Sequence, residues 1–275
     1  MPTRKRVTIF IMLFSLTVII FSSSTLFAKL IDFETKVQAK TSPAFVRNHM
    51  VKSTGIQLME TVHELERFSS AKPNLPIFLT FDDGPTEFTH SILTILDHYQ
   101  VQSTFFMLYG NIQKRPDIVK AVAEKGHTIG CHGVSHKVSA FYRTPTSPRE
   151  EMEACSRAVE EIIGTNISLV RVPFGSSPHL TTAQKMELEQ GEFIMWDWNV
   201  DSMDWKISSS EQMVQIVLKQ VEKVKEKGKV PVVLFHDKEI TVNALPAIIE
   251  ALTELGYDFK PITHEDEPLQ FKQKK

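Results

Sequence analysis

From Pro76 to Ile262 short apolar runs alternate with stretches of helical periodicity, and this alternation constrains the fold more than any other feature of the chain. Runs of roughly four to eight apolar residues bounded by turn signals read as buried strands, and apolar residues recurring every three or four positions read as helices packed on them. Residues 77–81, 103–108, 127–131, 168–172, 193–200, 232–235 and 258–262 are the expected strands. Residues 87–99, 116–125, 182–189, 211–227 and 244–255 are the expected helices. One more starts at Ser147-Pro148-Arg149-Glu150, which combines an N-cap, a first-turn proline and a glutamate three residues on, and runs to Ile163-Gly164. Strands alternating with helices give parallel strands joined by crossovers. Polar clusters follow nearly every strand, and a barrel gathers all its strand ends at one mouth, whereas an open sheet concentrates chemistry at one switch point. The expected fold is therefore α/β, a distorted or incomplete (β/α) barrel of about seven parallel strands, since the region is shorter than the ~250 residues of a full eightfold barrel.

The 275 residues are 42% hydrophobic and 23% charged, an ordinary globular composition. A net charge of -2 with scattered basic residues gives no basic face, so nucleic acid is excluded as a partner. Arg4-Lys5-Arg6 precedes an apolar stretch at 7–21, followed by Ser22-Ser23-Ser24-Thr25 and Leu26-Phe27-Ala28, the pattern of an export signal. The apolar core is intermediate between a signal h-region and the ~18 residues of a spanning helix, which leaves cleavage and anchoring in the cytoplasmic membrane both open. Both outcomes make the rest of the chain extracytoplasmic, membrane-anchored or secreted to the cell envelope, because the positive flank stays inside. Residues 1–28 are thus a signal peptide or signal anchor, and 29–75 an extracytoplasmic linker in which Leu58, Val62, Leu65 and Phe68 mark one amphipathic helix. Residues 76–262 form the main domain and 263–275 a polar tail. Cys131 and Cys155 fit no C-x-x-C site and read as two buried thiols, which an exported chain could oxidise if the fold brought them together.

The chemistry gathers at the strand ends. The first strand delivers Asp82 and Asp83, and Gly84-Pro85 stops it. Adjacent residues on an extended chain point to opposite sides, so the two acids divide their work, one binding a cation and one handling a proton, unless the backbone twists. After the third strand come His132 and His136. If their loop makes one helical turn, both imidazoles share a face with Cβ atoms ~5 to 6 Å apart, a spacing that suits one metal. Two histidines and a carboxylate form a recurrent three-ligand set that keeps a position open for water. Arg171 follows the fourth strand, where a guanidinium can hold a carboxylate by two hydrogen bonds. Trp196, Trp198 and Trp205 lie among aspartates after the fifth, as in sugar-binding clefts, although tryptophans are more often core. The sixth strand ends at His236, a second candidate for proton transfer.

These residues fall into five ordered motifs: T-F-D-D-G-P at 80–85, H-x-x-x-H at 132–136, R-x-P-x-G at 171–175, D-x-x-D-W at 201–205 and L-x-H at 234–236. Through them residues 76–262 resemble a NodB-homology domain, the catalytic domain of polysaccharide deacetylases of the carbohydrate esterase type. The resemblance implies a distorted (β/α) barrel with a divalent metal ion, zinc above all. It implies Asp83, His132 and His136 as ligands, Asp82 as general base, and His236 as general acid. Arg171 steadies Asp82 and Asp204 tunes His236, with Asp201 the other candidate for that role. Trp205 and Leu234 line the acetyl and sugar pocket, and the backbone N–H of Phe174 helps hold the oxyanion. The implied reaction is hydrolysis of the N-acetyl group of an amino-sugar polymer to a free amine and acetate, and the export pattern favours a cell-envelope polymer such as peptidoglycan over chitin. Two positions depart from the family's pattern. Phe174 stands where tyrosine is common, which matters little if only its backbone acts, and Gly133 stands where serine or threonine is usual, which predicts a looser ligand loop. A carbohydrate-binding protein on a catalytically inactive barrel and an O-acetyl esterase acting on xylan-like polymers are the alternatives. Haloacid-dehalogenase-type phosphotransfer is disfavoured, because its two acids are spaced by one residue whereas Asp82 and Asp83 are adjacent.

Overall fold

The computed structural model describes residues 75–272. The expected export segment and linker helix lie outside the described residues. Eight strands form, β1 Leu75–Asp82, β2 Thr104–Met107, β3 Thr128–Cys131, β4 Leu169–Val170, β5 Ile194–Met195, β6 Val200–Asp201, β7 Val232–His236 and β8 Tyr257–Phe259. Every pairing is parallel, in the order β5-β4-β3-β2-β1-β7-β6, with β8 on the first half of β1. The connecting helices are α1 Thr89–His98, α2 Tyr109–Lys114, α3 Pro116–Glu124, α4 Val138–Phe141, α5 Ser147–Ile163, α6 Thr182–Gln190, α7 Ser210–Glu226 and α8 Glu239–Glu254. This is the expected distorted (β/α) barrel.

Alternation along β1 explains where its last residue points. Ile77, Leu79 and Phe81 pack under the helices in the main core, while Phe78 belongs to a second cluster with Phe106, Leu169, Trp196, Val232 and Ile262. Side chains on a strand alternate between faces. Asp82 therefore shares the face of Phe78 and stands above that second cluster at the C-terminal end of the strand.

The expected single strand at 193–200 is two short strands. β5 pairs with β4 and β6 pairs with β7, at opposite ends of the sheet, and residues 196–199 cross the interval between them. The sequence read as a polar tail serves this open side. Asp197 N–H donates to the Leu269 carbonyl at 2.8 Å, and Phe271 N–H donates to the Asp197 carboxylate at 2.7 Å. Leu269 packs on the second cluster and the Phe271 ring meets Trp198 at 4.9 Å. The domain thus extends past Ile262. Its closing segment is held by a side chain some 70 residues away in sequence, a separation that local periodicity does not register.

Smaller departures have local causes. Helices α2 and α4, of 6 and 4 residues, are too short to show a period. Helix α5 starts at the expected place, but its N-cap is Thr146 and not Ser147, and it has no side-chain capping bond; the Ser147 Oγ pairs with Thr144 Oγ1 at 2.6 Å. Helix α8 begins at Glu239, ahead of the expected 244, and carries Pro246 inside it.

Cys131 and Cys155 correct the sequence reading more seriously. They are not two thiols but one disulfide, fully buried, joining the end of β3 to α5 across Cα atoms 5.9 Å apart. The β3–α5 crossover lays the helix back over its own strand and brings together residues 24 apart. Closing a loop of that length stabilises by about 3 kcal/mol in the chain-entropy view. A Cys131→Ser, Cys155→Ser double variant is expected to lose roughly that much in urea unfolding relative to the oxidised protein. A midpoint unchanged between the two would show that the bridge contributes nothing.

Candidate active site

The strand ends of the barrel form one cleft of about 430 Å³ lined by Asp82, Asp83, His132, His136, Phe174, Trp198, Asp201, Trp205, Leu234, His236 and Lys238. Ten of these come from the five motifs or the aromatic segment beside them; Lys238 was not singled out in the sequence. Trp196 is core, 1% exposed, whereas Trp205 is 53% exposed at the rim.

The two aspartates reach the same cleft because the backbone does twist. Asp83 has φ of 71°, in the left-handed region where Asp is among the few tolerated side chains. Asp82 is buried and Asp83 half-buried. Asp82 Oδ1 accepts from Arg171 Nη1 at 2.9 Å. Arg171 is wholly buried and is not bidentate to Asp82 as the sequence suggested. Its other N–H groups go to Thr80 Oγ1 at 2.7 Å and to the carbonyls of Trp196 and Asp197, and its guanidinium lies 4.3 Å over the Phe106 ring. The guanidinium is thereby fixed on all sides, and Asp82 Oδ2 is left facing His132 Nε2 at 3.8 Å. Removing one partner of so buried a pair leaves the other uncompensated, at a cost of roughly 3 to 5 kcal/mol.

Asp83, His132 and His136 place one ligand atom each within 4.8 Å of one another. Asp83 Oδ1 lies 3.6 Å from His132 Nε2 and 3.3 Å from His136 Nε2. That oxygen is buried without a hydrogen-bond partner, and a buried carboxylate oxygen aimed at two imidazole nitrogens is what a cation would satisfy. His132 Nδ1 donates to the Arg171 carbonyl at 2.6 Å, which leaves the Nε2 lone pair toward the cluster. Burial holds His136 below the usual histidine value against the pull of Asp83, with His132 adding to the depression, so a neutral imidazole is available for ligation. The residues present fit a divalent ion.

The His132–His136 loop does not make the helical turn that would align the two rings. It is irregular, with φ of 92° at Gly133 and 45° at His136, and the rings lie 5.2 Å apart and tilted. A Cβ on Gly133 would meet the Phe141 ring at 2.9 Å, so glycine is the residue this path admits. The loop is nevertheless not loose. Glu151 accepts from Val134 N–H and Ser135 N–H at 2.8 Å each and from Ser135 Oγ at 2.7 Å.

On the other side of the cleft His236 ends β7 directly opposite Asp82. Asp204 Oδ1 accepts from its Nδ1 at 2.7 Å, and Asp204 Oδ2 accepts from His236 N–H at 2.6 Å and from Thr241 Oγ1 at 2.8 Å. Asp201 instead faces Trp205 Nε1 at 3.3 Å, so of the two candidates Asp204 is the one that touches His236. Burial pulls the His236 pKa down, but the hydrogen bond and charge of Asp204, with Asp82 and Asp83, outweigh it and raise the value. Burial pushes Asp204 up, and the His236 and Thr241 bonds outweigh that and lower it. Phe174 is 48% exposed, with φ of 64°, and its ring lies 4.7 Å from His136. Its N–H has no partner among the described residues. Leu234 is buried under the cleft floor.

Sequence reasoning missed Asp237 as well as Glu151. Asp237 Oδ2 accepts from Thr89 Oγ1 at 2.5 Å and from Thr86 N–H at 3.3 Å, bracing the turn after Asp83. A Cβ on Gly84 would collide with that carboxylate, so the turn closes only with glycine there. Burial pushes Asp237 to about 6. It was visible only as the residue after His236.

The fold and the cleft define a (β/α)-barrel protein with a candidate metal site of two histidines and one aspartate, and with Asp82 and His236 at the ends of adjacent strands beside it. The sequence profile described as polysaccharide deacetylase matches residues 70–191. The chain is 34% identical over 196 residues to a peptidoglycan-N-acetylglucosamine deacetylase of Bacillus cereus, covering 69% of each protein. A crystal structure of a polysaccharide deacetylase from Bacillus cereus aligns with a TM-score of 0.68 at 32% identity, over 72% of this chain and 97% of that one. The chain belongs to the polysaccharide deacetylase family. It is also 44% identical over 185 residues to YheN of Bacillus subtilis, 66% of this chain, and the match spans 65% of the length of that relative.

Proposed function

We propose that the protein is an exported, zinc-dependent N-deacetylase that removes acetyl groups from an amino-sugar polymer of the cell envelope, with peptidoglycan as substrate. The observation that carries this is the unpartnered Asp83 Oδ1 between two imidazoles, flanked by Asp82 on one side and His236 on the other. The substrate class is supported by the name of the Bacillus cereus relative. Export is supported by the N-terminal charge and apolar pattern and by a buried disulfide, a bond at home in oxidising compartments. Whether the N-terminal segment anchors the protein in the cytoplasmic membrane or is removed, the catalytic domain lies outside.

Asp83, His132 and His136 would hold the ion, which supplies Lewis acidity toward the acetyl carbonyl and a water acidified to a pKa of ~7. Asp82, held by Arg171, takes the proton of the attacking water through Oδ2. The Phe174 N–H donates to the carbonyl oxygen as charge develops there. His236, whose pKa Asp204 raises, gives a proton from Nε2 to the departing amine. Trp205, Trp198 and Leu234 offer apolar faces to the sugar and the acetyl methyl.

Acetate release from purified cell walls and from chitin oligomers, measured in parallel with zinc-loaded and metal-stripped protein, tests this reading. Zinc-dependent release from walls supports it; no release from either substrate with zinc bound would leave a binding protein on the same barrel. A pH profile tests the acid. His236 must be protonated to donate and its folded pKa is raised, so activity falls as pH rises through that value. Asp204→Asn removes the raising interaction and is expected to move the alkaline limb of kcat to lower pH. An unmoved limb would detach Asp204 from the proton transfer.

A further inference from the structure

The second ligand histidine stands at the far end of an irregular loop, and something other than local secondary structure must set its position. His132 is secured at the strand end, its N–H donating to Met107 O at 2.8 Å and its ring to the Arg171 carbonyl. His136 is half-buried, and among the described residues its imidazole makes no hydrogen bond outside the cluster. Between them, Val134 and Ser135 present two successive N–H groups and a hydroxyl, and all three converge on one carboxylate, that of Glu151. Successive main-chain N–H groups around an anion form a concavity that holds the chain in one shape. A Gly133 Cβ would lie 3.2 Å from Glu151 Oε2, so glycine is also what lets the carboxylate approach.

Glu151 sits on α5, four residues before Cys155 and on the same helical face. Helix α5 therefore grips the ligand segment twice, by the disulfide just before His132 and by the carboxylate just before His136. We propose that Glu151 is a positioning residue that presets the metal site, holding His136 where its Nε2 meets Asp83 and His132. The carboxylate touches neither substrate nor ion and acts through the loop. This inference rests on the reading of Asp83, His132 and His136 as a metal site.

The test is zinc affinity of the full chain, stripped of metal and titrated in competition with a chromogenic chelator, for wild type, Glu151→Ala and Glu151→Gln. Loss of partners behind metal ligands typically weakens binding ~10 to 100-fold, and Glu151→Ala is expected in that range. Glu151→Gln keeps one oxygen acceptor and should lie between. Activity lost in either variant should return with excess zinc. A merely structural role would lower the melting temperature of the metal-free protein and leave the affinity of the folded protein unchanged. A folded Glu151→Ala protein with wild-type zinc affinity overturns the inference; should that variant not fold, wild-type affinity in Glu151→Gln does the same. Absence of zinc binding in wild type overturns the metal reading itself and this inference with it.

Discussion

Asp82→Asn is expected to retain its metal and to lose at least the ~100-fold in turnover typical of a removed general base. Asparagine keeps the shape of the side chain, and its carbonyl oxygen can still accept from Arg171 Nη1, as Asp82 Oδ1 does at 2.9 Å. What it cannot do is take a proton from water. The proposed ligand set is complete without residue 82, so zinc content by mass spectrometry should match wild type while acetate release collapses. His236→Ala should share the retained metal and the defect on amides, but its defect should shrink on an activated ester, whose leaving group departs unprotonated. The two variants thus separate on one substrate. Equal losses for His236→Ala on amide and activated ester would assign His236 to substrate positioning and leave the acid to be found elsewhere.

Removing a ligand should have the other large effect. His132→Ala and Asp83→Asn are expected to yield folded protein with little metal and background activity. Both residues line the cleft at strand ends outside the two apolar core clusters, and asparagine tolerates the positive φ of 71° that position 83 requires. Asp83→Asn also keeps a neutral oxygen beside the histidines, so its metal loss should be the milder of the two. Wild-type zinc stoichiometry in His132→Ala would show that the ion is held by a different set.

The parts of the fold that could be read beforehand are those written in neighbouring residues. The run into Asp82-Asp83, the Ser147-Pro148 helix start and the apolar periods of α5 and α7 are all short-range patterns, and each produced the element expected of it. The division of 193–200 into β5 and β6 was not legible, because it depends on which distant strand each half meets. The same holds for the Cys131–Cys155 bridge, the docking of Leu269 and Phe271, and Glu151, whose partners lie 16 and 17 residues upstream on another element. At the site, the side chains were identifiable from their types and order. The left-handed turn at Asp83 was not, although it decides that both aspartates serve one cleft. The expected looseness at Gly133 came from considering the loop alone; the carboxylate that ties it belongs to a helix.

Asp82 and His236 are register partners on adjacent parallel strands, one rung of a ladder whose spacing is ~4.8 Å. The main-chain positions that carry the proposed proton acceptor and donor are therefore gauged by sheet hydrogen bonding and not by any loop. The exposed indole of Trp205 can be exchanged or turned to suit another polymer without resetting that register. Substrate preference in such a barrel is free to drift while the rung that carries both proton-transfer groups stays constant.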